Sequence, residues 1–126
     1  MRKLLLPIKP KYVDAIIAGT KTVEYRTRIR KDTNVTTVLI YRSGDLKKVV
    51  AQFTIGGIIE GTPQQVWEQT KNIGGIEERD YFSYFANKDR AYAYQICDLV
   101  VYPNPIPLFT LGVDKAPMSF MYIEIK

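Results

Sequence analysis

The sequence predicts an α+β domain: a small, twisted, mostly antiparallel β-barrel with about three helices packed on its outside. Three observations lead there. Five or six runs are rich in β-branched and aromatic residues bounded by turn formers. Most connections between those runs are too short for a parallel crossover. Helix signals appear once early in the chain and twice more before the fifth strand. A chain of 126 residues is long enough for one core, so a single domain spans 1–126. The hydrophobic fraction of 46% argues against disorder.

Residues 3–8 (KLLLPI) read as a short strand. Residues 9–19 read as a helix, with Tyr12, Val13, Ile16 and Ile17 as its apolar stripe, Pro10 near the first turn and Gly19 as the stop. From Val23 the chain alternates as a strand. Val23, Tyr25, Thr27 and Ile29 share one face, and Glu24, Arg26, Arg28 and Arg30 the other. Residues 36–42 form the next strand, 43–48 a turn, and 49–61 a further strand with a bulge expected at Gly56-Gly57. Thr62 then caps a helix running to about Thr70, with Pro63 at its first position and Gln65 completing a capping box. The NIGG segment (72–75) breaks that helix. Residues 76–87 read as a second short helix with Tyr81, Phe82 and Phe85 inward, and Trp67 also reads as core. The run 90–102 is the most strand-like of all. A proline-spaced connection (103–112) leads to a last strand at 119–126.

Composition narrows the chemistry. Lysine and arginine number 18 against 13 acidic residues, a formal charge of +5 that suits an anionic partner such as nucleic acid and equally suits simple solubility. Histidine is absent, which removes the Ser-His-Asp triad, the Cys-His pair and His-ligated zinc. Cys97 stands alone, so neither a disulfide framework nor a metal knuckle is expected, and a reducing cytoplasm is. The first ten residues are cut by Pro7 and Lys9 before they reach signal-peptide length. No run approaches the roughly 20 apolar residues of a membrane-spanning helix. No cofactor, metal or membrane is expected.

Gly19, Lys21, Glu24 and Arg26 spell G-x-K-x-x-E-x-R. A P-K-Y-x-x-x-I-x-x-G helix precedes this motif, a V-L-I-Y strand follows it, and I-G-G-I-I-E-G-T-P and A-P-M-S-F-M-Y-I come later. The whole pattern resembles the ASCH domain family of the PUA-like β-barrel superfamily. The resemblance implies a cleft between the first helix and the barrel, lined by the motif and directed at RNA or a nucleotide, in some members in connection with transcription or translation. One bacterial branch of such domains is an amidohydrolase that deacetylates 4-acetylcytidine with a lysine, a threonine and a glutamate. Lys21 and Thr22 match that branch, but Glu24 stands where its reactive threonine belongs, and no nucleophile accompanies them. That argues against the same deacetylation.

The leading reading is therefore an RNA- or nucleotide-binding module. Lys21 offers a point charge for phosphate, or a base if burial lowers its pKa; it equally fits a helix-capping surface lysine. Lys21 and Glu24 do not share a face in strict alternation, so they meet only if the backbone turns between them. Glu24 and Arg26 fit a recognition pair or a structural ion pair. Arg28, Arg30 and Lys31 extend the positive row at a spacing of roughly 6–7 Å, which suits backbone phosphates or a charged, aggregation-resistant strand edge. Among nine tyrosines, Tyr41 and Tyr122 are the candidate base stackers, while Tyr92, Tyr94 and Tyr102 suit the core rim. Ser43 and Ser119 are candidate hydrogen-bond donors. Two alternatives remain open: a small hydrolase acting on a modified nucleoside through Lys21 and Glu24, and a regulatory domain docking a partner on helices near Trp67 and Phe82.

Overall fold

The computed structural model describes residues 1–125. In chain order the elements are β1 (Arg2–Ile8), α1 (Pro10–Ala18), β2 (Val23–Arg26), β3 (Thr37–Arg42), β4 (Lys48–Gly61), α2 (Pro63–Thr70), α3 (Glu78–Tyr84), β5 (Ala91–Ile106) and β6 (Met121–Glu124), with a 3₁₀ turn at Leu108–Leu111. The six strands form one sheet in the order β2-β5-β4-β3-β1-β6. Only β1 and β3 pair in parallel, and that pair has α1 and β2 as its crossover; the other pairs are antiparallel.

The α+β class and the mostly antiparallel sheet with three helices agree with the sequence reading. Closure differs from it. β2 and β6 are the two edges and share no ladder, so the sheet stays open where a barrel would close. Side chains hold the segment beyond β2 instead. The Arg30 N–H donates to the Tyr94 hydroxyl (2.8 Å), and the N–H groups of Lys31 and Asp32 donate to the Tyr122 hydroxyl (2.9 and 3.1 Å).

Those bonds also explain why β2 ends at Arg26 instead of running to Arg30. The amides of Arg30, Lys31 and Asp32 find tyrosine hydroxyls in place of a neighbouring strand, and the expected charged face is broken after two members. At β5 the opposite occurs: the strand continues through Pro103 and Pro105 to Ile106, which pairs with Val49. Two prolines spaced by two place both missing N–H groups on one side, leaving the other side free to pair. The expected bulge is present, since the β4–β5 register shifts between Ile55 and Ile58. A Cβ on Gly56 or Gly57 would collide there with Cys97 or Gln95.

Three apolar clusters fill the fold. Leu4, Leu6, Ile8, Val38, Ile40, Phe53 and Tyr94 pack with Val13 and Ile16 of α1. The opposite face of β1 and β3 sends Leu5, Leu39 and Tyr41 into a second cluster with Val49, Val113 and Ile123. The third joins α2 and α3 to β2 and β5 through Trp67, Tyr81, Phe85, Val23 and Tyr25. Its rings meet one another, Trp67–Tyr81 at 4.9 Å, Tyr25–Tyr81 at 4.9 Å and Trp67–Phe82 at 5.8 Å between centroids. Trp67 is 8% exposed, so the apolar docking face expected near Trp67 and Phe82 is turned inward as core. The capping box of α2 is complete: Gln65 N–H donates to Thr62 Oγ1 (3.2 Å), and Thr62 N–H donates to Gln65 Oε1 (2.9 Å).

Tyr94 is fully buried, and its phenol holds the loop after β2 through one bond. Tyr94→Phe keeps the ring and removes that acceptor. The expected loss is about 1 kcal/mol in denaturant unfolding, with faster hydrogen exchange at the Arg30 amide.

Candidate functional site

The end of α1 sets the site's geometry. Gly19 adopts φ 84°, and the N–H groups of Thr20 and Lys21 both turn back to the Ala15 carbonyl at 3.1 Å. Glycine suits that left-handed position because it has no Cβ to clash. The chain reverses, Thr22 N–H donates to the Ile73 carbonyl (2.9 Å), and strand pairing begins at Val23. This turn supplies what strict alternation could not: Lys21 and Glu24 point to the same place.

The Lys21 ammonium donates to the Gly74 carbonyl at 2.8 Å and lies 3.7 Å from Glu24 Oε1. It also sits over two rings, 4.7 Å from the Tyr25 centroid and 5.3 Å from that of Tyr12. Arg26 Nη1 donates to Glu24 Oε2 (3.4 Å) and to the Pro7 carbonyl (3.3 Å), and Nη2 donates to the Ser119 carbonyl (2.7 Å). Arg26 thus ties edge strand β2 to the end of β1 and to the approach to β6, across the open side of the sheet. Lys21 is 2% exposed and Glu24 6%. Removing one partner from such a buried pair typically costs about 3–5 kcal/mol, because a charge is left uncompensated.

Burial pushes the Lys21 ammonium below the ordinary lysine range, with the nearby Glu24 carboxylate opposing. Burial pushes the Tyr25 phenol up; its hydrogen bond to Thr70 opposes and the Glu24 charge adds. That phenol donates to Thr70 Oγ1 at 2.7 Å, and Thr70 in turn donates to the Val66 carbonyl, so Tyr25 is fixed from beneath. Above this floor lies a cavity of about 600 Å³, lined by Lys21, Glu24 and Arg26 together with Tyr12 of α1 and Tyr84 of α3. Its size falls within the usual range of small-molecule sites.

Lys21, Glu24 and Arg26 therefore converge on one hollow that Ser119 also lines, and the other candidates lie outside it. Arg28 is exposed and outside the cavity lining, and Arg30 Nε is bound to the Val35 carbonyl at 2.6 Å. Tyr41 is 6% exposed within an apolar cluster, which leaves no ring face for a base. Ser43 is outside the cavity lining, and its Oγ donates to the carbonyl of Ile8 (3.2 Å). The Tyr122 ring lies under the Arg2 guanidinium, 4.1 Å from its centre, and its hydroxyl accepts the two loop amides already described. Of these residues Tyr41 is taken up by packing and Arg30, Ser43 and Tyr122 by hydrogen bonds, while Arg28 stays at the surface. Ser119 does line the cavity, and its carbonyl is the atom that binds Arg26.

The ASCH domain model matches residues 6–100. The chain belongs to the ASCH domain family. Among proteins it resembles, the "ASCH domain-containing ribonuclease" of Zymomonas mobilis is 26% identical over 97 residues, covering 77% of this chain and 66% of that protein. The "Large ribosomal subunit protein uL22" of Ureaplasma parvum serovar 3 is 29% identical over 87 residues, 69% of this chain but 28% of its own. The chain thus spans less than two thirds of either relative. The crystal structure of ASCH from Zymomonas mobilis superposes with a TM-score of 0.87 at 25% identity, covering 97% of this chain and 87% of that one.

Within this ASCH domain, Tyr12, Tyr84 and the Gly74–Gly75 pair are site residues that the sequence reading missed. Tyr12 was hidden in the apolar stripe of α1, and the glycines read as a helix break. Their real constraint is contact: a Cβ on Gly74 would strike the Tyr25 phenol, and one on Gly75 would come within 2.6 Å of Lys21 Cβ. Gly75 also adopts φ +60°. Gly75→Ala is therefore expected to cost about 1–3 kcal/mol in unfolding free energy and to shift the NMR signals of the Lys21 side chain. Unchanged Lys21 signals would show that the loop does not hold it.

Proposed function

We propose that this ASCH domain binds RNA, taking up one nucleotide in the cavity above Lys21, Glu24 and Arg26. The observation that carries this reading is the convergence of those three head groups on a nucleotide-sized hollow with tyrosines on its walls. Lys9, Lys21 and Arg26 outnumber Glu24 and Asp80 in the cavity lining and leave a local positive charge, in a chain whose formal charge is +5. Such a balance draws a polyanion. Tyr12 and Tyr84 offer ring surface for a base, which is how proteins commonly hold unpaired bases. The printed name of the Zymomonas mobilis relative, a ribonuclease, supports RNA as the partner class.

A mixed-sequence single-stranded RNA oligomer is expected to bind with micromolar or better affinity, more weakly as salt rises. Arg26→Ala is expected to weaken binding at least about tenfold, provided a thermal melt shows it folded. Absence of binding to any RNA or nucleotide at low salt contradicts the reading.

A second reading, RNA cleavage or another hydrolysis of a nucleotide ligand, is favoured by one specific feature. Lys21 is buried 3.7 Å from Glu24 and holds its proton less firmly than an exposed lysine, which suits a group that accepts and returns a proton. A label-release assay on RNA, comparing the wild type with Lys21→Met, distinguishes turnover from binding.

The same burial gives a pH dependence. Glu24, Arg26, Tyr12 and Tyr25 surround Lys21; burial lowers the ammonium and raises both phenols. RNA affinity is expected to fall as pH rises through a midpoint below the 10.5 of an ordinary lysine. Lys21→Met should lack that step. A wild-type midpoint at or above 10.5 contradicts the assignment.

A further inference from the structure

Granted the RNA-binding reading above, we infer that the base enters the cavity and the phosphate stays at its rim, with a base N–H directed at Glu24 Oε1. The floor of the cavity dictates this orientation. Glu24 Oε2 receives the Arg26 guanidinium at 3.4 Å, but the cation facing Oε1 is Lys21 Nζ at 3.7 Å, beyond hydrogen-bond length. Among the described residues no buried side-chain nitrogen or oxygen lacks a hydrogen-bond partner. Oε1 is therefore not sealed in protein; it opens on the cavity that Glu24 lines.

A carboxylate only accepts hydrogen bonds, and so does a phosphate, so the two repel at contact distance. The two cations do not override this at the floor. Lys21 is 2% exposed, with its ammonium committed to the Gly74 carbonyl and to Glu24. Arg26 is anchored by the carbonyls of Pro7 and Ser119 as well as by Glu24. Both hold the carboxylate in place. The complementary ligand group is a neutral N–H, which in RNA belongs to a base edge: the exocyclic amino group of cytosine or adenine.

The rest of the lining agrees. Tyr12, Tyr84, Ile76 and Met118 present ring faces and apolar surface, the environment a heterocycle prefers and a phosphate avoids. Lys9, exposed where it lines the cavity, is the cation left at the rim for the phosphate.

The test compares single-stranded hexamers by fluorescence anisotropy. Cytidine is set against N4,N4-dimethylcytidine and adenosine against N6,N6-dimethyladenosine, each pair sharing its ring and phosphates and differing in the amino N–H. Dimethylation is expected to weaken binding at least about tenfold in at least one pair. Ribose 5-phosphate, which carries the phosphate without a base, is expected not to displace the unmodified hexamer. Equal affinities within both pairs, or displacement by ribose 5-phosphate as effective as that by the matching nucleoside monophosphate, overturns the orientation. Failure of the RNA-binding reading is a different result, because unmodified hexamers and mixed-sequence RNA would then all fail to bind.

Discussion

An ammonium group removed from water must recover its lost hydration from the protein, and the burial of Lys21 imposes that demand here. A buried lysine with no partner would give up its proton or unfold its surroundings. Lys21 recovers part of its hydration from the Gly74 carbonyl, part from Glu24 and part from the faces of Tyr25 and Tyr12. Each of those groups requires its own support. Glycine at 74 and 75 lets a carbonyl approach the ammonium without a side chain striking Tyr25 or the lysine stem. Thr70 holds Tyr25 by its hydroxyl, and the left-handed Gly19 turns the chain so that residue 21 faces residue 24.

Arg26 extends the same network to the sheet. Because β2 and β6 are unpaired edges, something other than a ladder must relate them, and the guanidinium does so by reaching the carbonyls of Pro7 and Ser119. One residue thereby fixes the far wall of the cavity and braces the carboxylate at its floor. Site geometry and fold integrity are coupled in this region. A planar group with several fixed donors suits that double duty better than a lysine would.

Much of this was legible in the sequence because local chemistry governed it. The α2 cap, the stop at Gly19, the glycine bulge in β4 and the inward faces of Tyr81 and Phe85 all follow from spacing and residue type. The motif marks Lys21, Glu24 and Arg26, but alternation alone does not bring the first two together, since the turn that does so combines helix-end bonds to Ala15 with a tertiary bond to Ile73. Where structure and sequence reading differ, long-range contacts are the cause. Arg28 and Arg30 fall beyond the end of β2, where tyrosine hydroxyls from β5 and β6 take the amides of Arg30, Lys31 and Asp32. Tyr41 and Tyr122 read as available because what covers them is distant in sequence, Val113 and Ile123 over the first and Arg2 over a face of the second. Gly74 and Gly75 carried only a turn signal, because close approach to a side chain leaves no mark in composition.

Backbone and side-chain NMR of the labelled domain, titrated with a single-stranded RNA oligomer, tests the central claim most directly. Shift changes are expected to concentrate at Tyr12, Lys21, Glu24, Arg26 and Tyr84, with the Gly74–Gly75 loop following them. Changes confined to the exposed stretch around Arg28 and Lys31, with the cavity residues unmoved, would show that RNA is met by surface charge and that the buried trio only holds the fold together.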